Sequence, residues 1–246
     1  MRAFRQKVIP HLIVLLCSLI VLWIFYGEIL LSPNQYWFHD EGDGVKNYFT
    51  LAWHVKHDVS ALDFEGMNYP FGEHVLYTDG HPALGWILRL LPVEIPPIGL
   101  INLLMLLSMP LLAVVLFGIL RKHGLPDWFA GLATLAIMML QPQLFRMTAH
   151  YSLAYAFAFP LNWWIWWRFH EAERKYLWSG ILAGVLLFWL FIHPYLGMMS
   201  IFFVGAAFLV EWPVKERPWG RIGHLILQCA FPILFLLLFL KLTDTH

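Results

Sequence analysis

Charge is scarce in this chain, and cysteine scarcer still. Lys, Arg, Asp and Glu make up 13% of the 246 residues and cancel to a net charge of zero, where an ordinary soluble domain carries about a quarter charged residues. No basic tract interleaved with aromatics occurs, which removes nucleic acid from the partners to consider. The two cysteines, Cys17 and Cys229, both sit inside apolar runs, where packing explains them better than a disulfide or a metal site. The chain also lacks an HExxH zinc-protease motif, a Walker A loop, a GxSxG elbow and any paired-cysteine metal spacing. Internal repeats and low-complexity linkers are missing too.

Long hydrophobic runs are what the chain does have. Hydrophobic residues reach 60% and the mean hydropathy is +0.64, so the chain is best counted in membrane spans of about 20 residues. The first apolar run is too long for a signal peptide's core and no small-x-small cleavage site follows it, so it reads as a retained helix. The expected fold is all-α, a polytopic transmembrane bundle of about seven spans, forming one module over residues 1–246: Val8–Leu31, Ile98–Leu120, Trp128–Gln141, Tyr151–Trp167, Tyr176–His193, Tyr195–Glu211 and Ile222–Leu240. The third is short, and Pro142 ends it. With the N-terminus inside, eleven Lys and Arg fall inside and five outside, which orients the scheme. The scheme puts residues 32–96 outside the cytoplasm.

Between the first two spans the sequence changes character. Residues 32–96 form a long outside loop that holds nine acids against three bases. Val45, Tyr48, Phe49, Ala52, Val55 and Val59 recur at helical spacing, with Lys46, Asn47, Thr50, Lys56, His57 and Asp58 opposite, which predicts an amphipathic interfacial helix opening near Asp43 or Gly44. Asn68–Glu73 and Thr78–Pro82 read as turns, and Ala83–Leu91 as a second short interfacial helix.

The candidate chemistry gathers on the outside face of that scheme. Asp40, Glu41 and Asp43 stand where the chain leaves the first span, with Gly42 and Gly44 letting the backbone turn. A partly desolvated carboxylate there can serve as a general base; the plainer reading is an acidic turn that caps the following helix. Asp43 is the best single candidate, being flanked by the glycines. Arg146 and His150, just before the fourth span, offer a bidentate phosphate ligand and a hydrogen-bond donor, against the plainer reading of Arg146 as an interfacial snorkelling residue. His81 and His193 each admit an ordinary turn or helix-end role. Their placement on one face with Asp43, Arg146 and His150 suggests a site. His54, His57 and His74 read as solvated loop residues.

These residues resemble the GT-C class of integral membrane glycosyltransferases. The resemblance rests on a first span followed by a large outside loop with an acid near its start, here Asp40-Glu41-Gly42-Asp43-Gly44. It extends through Val45–Phe49, Asn68–Gly72, Thr78–Pro82 and Arg146–Tyr151. It implies transfer of a sugar from a polyprenyl-phosphate-linked donor to an extracytoplasmic glycan, lipid or protein acceptor. Asp43 would be the base with Asp40 or Glu41 as substitutes, Arg146 and His150 would hold the donor phosphate, and His81, His193 and Tyr151 would line the pocket. The acidic run departs from a plain Asp-x-Asp pair, which leaves a divalent metal (Mg or Mn) open. The chain stops at His246, just after the seventh span, whereas such enzymes usually continue through more spans. That ending admits a minimal module, half of a split enzyme, or a truncated frame. Two other classes compete: a transporter or lipid flippase, with functional polar residues near mid-membrane, and a non-catalytic assembly protein indifferent to Asp43→Asn.

Overall fold

A computed structural model describes residues 2–92, 94–211 and 219–244, with side chains from Val8 onward and excluding that of residue 219. Lys215 and Arg217, counted among the inner bases above, lie outside the described residues. In chain order the elements are α1 (Arg2–Leu31), α2 (Gly42–Lys56), a minimal antiparallel hairpin of β1 (Asp63–Phe64) and β2 (Glu73–His74), α3 (Pro82–Leu90) and α4 (Pro97–Lys122). Then come α5 (Asp127–Leu140), α6 (Gln143–Arg146), α7 (Ala158–Glu171), α8 (Lys175–Ile192), α9 (Pro194–Glu211), α10 (Trp219–Leu225), a π-helical turn (Ile226–Ala230) and α11 (Phe231–Thr243). The all-α expectation holds apart from that hairpin.

Six helices among the described residues are long and apolar enough to cross a membrane: Val8–Leu31, Pro97–Lys122, Asp127–Arg146, Lys175–Ile192, Pro194–Glu211 and Gly220–Thr243. Each matches an expected span within a few residues. The exception is the expected fourth span, Tyr151–Trp167, which is not one continuous helix. Tyr151–Leu153 forms a 3-10 turn and the α-helix begins only at Ala158. The continuous α-helical part is the 14 residues Ala158–Glu171. Two local causes account for this. Pro160 lacks an N–H and is tolerated in a first turn but not mid-helix, and the Ala156 N–H is taken by the Ser108 hydroxyl of α4 at 3.3 Å.

The chain divides into two compact units, the first comprising Met1–Val45 with Pro96–Leu161 and the second Lys46–Ile95 with Asn162–His246. In the first unit α4 packs against both α1 and α5. Among the described side chains of α1 the buried ones form the stripe Val14, Ser18 and Leu22, spaced i, i+4, i+8, while Leu12, Leu16, Ile24 and Phe25 stay exposed. Apolar surface on that scale is a hazard in water and the normal condition in lipid. α4 also anchors the chain that follows α1: Asn102 donates from Nδ2 to the carbonyls of Pro33 (2.7 Å) and Tyr36 (2.8 Å), and the Gly99 N–H donates to Asn34 Oδ1.

In the second unit α8 packs along α9 and α11, and α3 rests on α8. The expected amphipathic helix exists as α2, but its faces are not those of an interfacial helix. Asn47, Thr50, Leu51 and His54 are buried with Tyr48, while Phe49 is exposed. Thr50 goes inside because it is satisfied locally and seats a glycine: its hydroxyl donates to the Lys46 carbonyl at 2.8 Å, and a Cβ on Gly80 would stand only 2.8 Å from Thr50 Oγ1. His54 and His74, expected in solvent, are 2% and 0% exposed. His54 donates from Nδ1 to Asp58 at 2.8 Å, and Asp58 also accepts from Trp53 Nε1 and the Glu65 N–H. Burial lowers the His54 pKa against the opposing pull of Asp58. α3 opens one residue earlier than expected, at Pro82, and clamps the preceding loop. Trp86 Nε1 donates to the Ala61 carbonyl, and Arg89 donates to the carbonyls of Val59 and Ser60.

Candidate functional site

The predicted site residues fall into both units, and each group has its own geometry. Asp40, Glu41, Asp43, Arg146, His150 and Tyr151 belong to the first unit, and His81 and His193 to the second.

In the first unit, Asp43 stands in the first turn of α2, where the unpaired N–H groups and the helix dipole favour a negative charge. Gly42 precedes it at φ +54°, a left-handed turn that suits glycine. Gly44 follows, and a Cβ there would lie 2.7 Å from the Tyr151 hydroxyl and 3.0 Å from His39 Cβ. Bare backbone at Gly44 therefore lets the helix start lie against Tyr151, which is fully buried and whose hydroxyl donates to the His39 carbonyl at 3.4 Å. That approach brings Asp43 to the residue before Tyr151: its Oδ2 is 3.7 Å from His150 Nε2. Both side chains are about half open, 52% for Asp43 and 38% for His150. The distance exceeds a hydrogen bond and leaves room for a substrate to draw the two groups closer. Arg146 is exposed at the end of α6, and its carbonyl accepts the His150 N–H at 2.8 Å, so the two lie one turn apart on the same segment. Asp40 and Glu41 are exposed; the Glu41 N–H donates to His39 Nδ1 at 3.2 Å.

A different arrangement occupies the second unit. Asp79 accepts from His193 Nε2 at 2.7 Å and from Lys46 Nζ at 3.1 Å. The Tyr195 N–H donates to His193 Nδ1 at 3.0 Å, which fixes the tautomer: Nε2 carries the proton given to Asp79. The hydrogen bond from His193, helped by Lys46 and opposed by burial, lowers the Asp79 pKa from 3.8 to about 2. Asp79 and His81 both adopt positive φ, +59° and +55°, which few non-glycine residues do. Backbone in that region is held only where its surroundings fix it, here by the ion pair and by Gly80 against Thr50. His81 is buried at the start of α3. Asp79 and Lys46 were not among the predicted site residues. The Thr78–Pro82 turn marked the place, but nothing in the sequence ties position 79 to position 193.

A third polar group lies within the apolar helices of the second unit. Ser179 on α8 is hydrogen-bonded to His224 Nδ1 and accepts from Gln228 Nε2, each at 2.8 Å, and all three residues are buried. Gln228 sits in the π-helical turn, an irregularity frequent at functional sites. Hydropathy alone gives no sign of these partnerships, which join positions 45 and 49 apart. As for a metal, no group of three His, Cys, Asp or Glu able to hold one occurs among the described residues.

Six apolar helices of spanning length and a polar loop segment after the first define a multi-pass helical membrane protein. The chain belongs to the family described as Domain of unknown function (DUF6311), whose model matches residues 14–245. No curated protein and no solved structure matches the chain.

Proposed function

We propose that the protein is a membrane glycosyltransferase that moves a sugar from a polyprenyl-phosphate donor to an acceptor hydroxyl outside the cytoplasm. The observation that carries this reading is the half-open meeting of Asp43 and His150, 3.7 Å apart, with Arg146 one turn from His150. A base, a hydrogen-bond donor and a phosphate ligand thus belong to one compact unit.

In this mechanism Asp43 takes the proton of the acceptor hydroxyl, whose oxygen forms the new bond to the anomeric carbon. The bond from that carbon to the phosphate oxygen breaks, and polyprenyl phosphate leaves with the electron pair. Arg146 and His150 meet its charge. Asp79, already held by two donors, is a scaffold carboxylate in this scheme, and His193 serves it. The basic bias of the sequence supports an N-terminus in the cytoplasm and residues 32–96 outside a bacterial plasma membrane.

The test is lipid mass spectrometry on membranes carrying wild type or Asp43→Asn at matched expression. A polyprenyl-phosphate sugar consumed by the wild type and accumulating in the variant supports the reading and identifies the donor. Identical lipid profiles refute it and shift weight to transport, for which the buried Ser179, His224 and Gln228 group is the relevant observation.

A further inference from the structure

The first unit also has a groove of about 340 Å³ between α1 and α5, floored by Val14 of α1 and Phe117 of α4. Both floor residues are buried, whereas Ile13 and Leu132 beside them are exposed, so the groove opens on the outside of the helices. Of the described residues that line it, only Asp127 is charged. That carboxylate begins α5, is 51% exposed, and lies 2.7 Å from Nε of Arg121. Arg121 stands in the last turn of α4 with its guanidinium over the Phe117 ring at 5.5 Å. An apolar groove thus ends on an open ion pair. Trp128 is exposed in the lining next to Asp127, a residue type enriched where acyl chains meet headgroups. Phe117 lies about 22 Å further along α4 than Asn102, at about 1.5 Å per residue, so the groove is at the far end of α4 from the segment that leads to Asp43.

We infer that this groove seats one acyl chain of phosphatidylethanolamine, with the headgroup ammonium on Asp127 and the phosphate on Arg121. The charges are complementary: Arg121 and Asp127 place a cation and an anion side by side, and a zwitterionic headgroup presents the same two signs reversed. An ammonium brings N–H donors to carboxylate oxygens, and a guanidinium offers its fork to a phosphate. Phosphatidylglycerol matches only half of this, because its headgroup has a phosphate and no cation. A partner helix fits worse: at about 10 Å across and about 5.4 Å of rise per turn, it would lodge less than one turn in 340 Å³. Lys122 and His123 follow Arg121 in the sequence and pull toward an anionic lipid, which makes phosphatidylglycerol the decisive competitor. None of this depends on the transferase reading.

The experiment is photolabelling of the whole chain in detergent by phosphatidylethanolamine carrying a diazirine midway along one acyl chain, with unlabelled phosphatidylethanolamine and phosphatidylglycerol as competitors. In the wild type the label maps to residues 10–17 or 128–135, and phosphatidylethanolamine competes more strongly by roughly fivefold, the worth of one half-open charged contact. Asp127→Asn removes that preference, so phosphatidylglycerol competes at least as well, while the label stays in place. An exposed ion pair contributes little to stability, so this variant keeps its fold. Gly131→Leu fills the groove and blocks labelling; a Cβ there meets Val14 Cγ2 at an ordinary 3.6 Å, so the backbone need not shift. A label elsewhere, equal competition by phosphatidylglycerol in the wild type, or a preference that survives Asp127→Asn overturns the inference. So does a wild type that dimerises in detergent and takes no label at these residues, which gives the groove to a second copy of the chain.

Discussion

Two carboxylates of the same polar segment have opposite surroundings. Asp79, in the second unit, is grasped by His193 at 2.7 Å and Lys46 at 3.1 Å and is 28% exposed. Asp43, in the first, is about half exposed and stands 3.7 Å from His150. A carboxylate whose lone pairs are committed to fixed donors, and whose pKa is held down to about 2, makes a poor base and a good brace. Asp43 stands in the first turn of a helix with its side chain half open to its surroundings beside His150. Residue type does not separate the two settings; their exposure does, 28% against 52%.

The sharpest way to break this comparison is to exchange the expected phenotypes. Asp43→Asn should lower sugar transfer by roughly a hundredfold or more, the usual worth of a general base, and leave thermal unfolding in detergent unchanged. A loss of stability without loss of transfer would reverse the two assignments. Arg146→Ala comes next: the KM for the lipid-linked donor should rise about tenfold with a smaller change in kcat, as fits a contact made before and during transfer.

Asp79→Asn should do the reverse of Asp43→Asn. A fall in pKa from 3.8 to about 2 corresponds to about 2 kcal/mol, so the melting temperature should drop by roughly 5 °C. The sign follows from the depressed value: the carboxylate's stabilising share is complete above pH 3.8 and disappears as pH falls through about 2. The variant should therefore lack that acid-dependent component in a melting series. The smallest effect expected concerns His54, whose pKa burial lowers from 6.5. Below that pH the unfolded chain binds more protons than the folded one, so stability should decline on acidification. His54→Gln should flatten the profile there, as circular dichroism melts would register.

Much of this was legible in the sequence because it is local. Apolar runs located six helices of spanning length, the glycines around Asp43 located the start of α2, and the end of the Thr78–Pro82 turn located that of α3 to within one residue. Asp43 at a helix start needed only its neighbours. What stayed hidden depends on distant chain: the partner of Asp79 lies 114 positions away, and the partners of Ser179 lie 45 and 49 positions away. The polar side of α2 was legible as polar but not as buried, since hydrophobic periodicity cannot anticipate that Thr50 seats a glycine. The fourth expected span failed because hydropathy averages over Pro160 and does not register a serine hydroxyl on α4 that takes a backbone N–H.

Gly80 and Gly85 give the second unit something beyond close packing. A Cβ on Gly80 would meet Thr50 Oγ1 at 2.8 Å, and one on Gly85 would meet His54 Cδ2 at 2.9 Å. Thr50 and His54 are four residues apart, about one helical turn, so α2 engages the 78–82 turn and α3 as a rack with two teeth. Sliding α2 by one turn would have to unseat both teeth together, and tilting it would jam one of them. The helix is thereby indexed along its own axis, and Lys46, one turn before Thr50, arrives at the level of Asp79 without having to search for it.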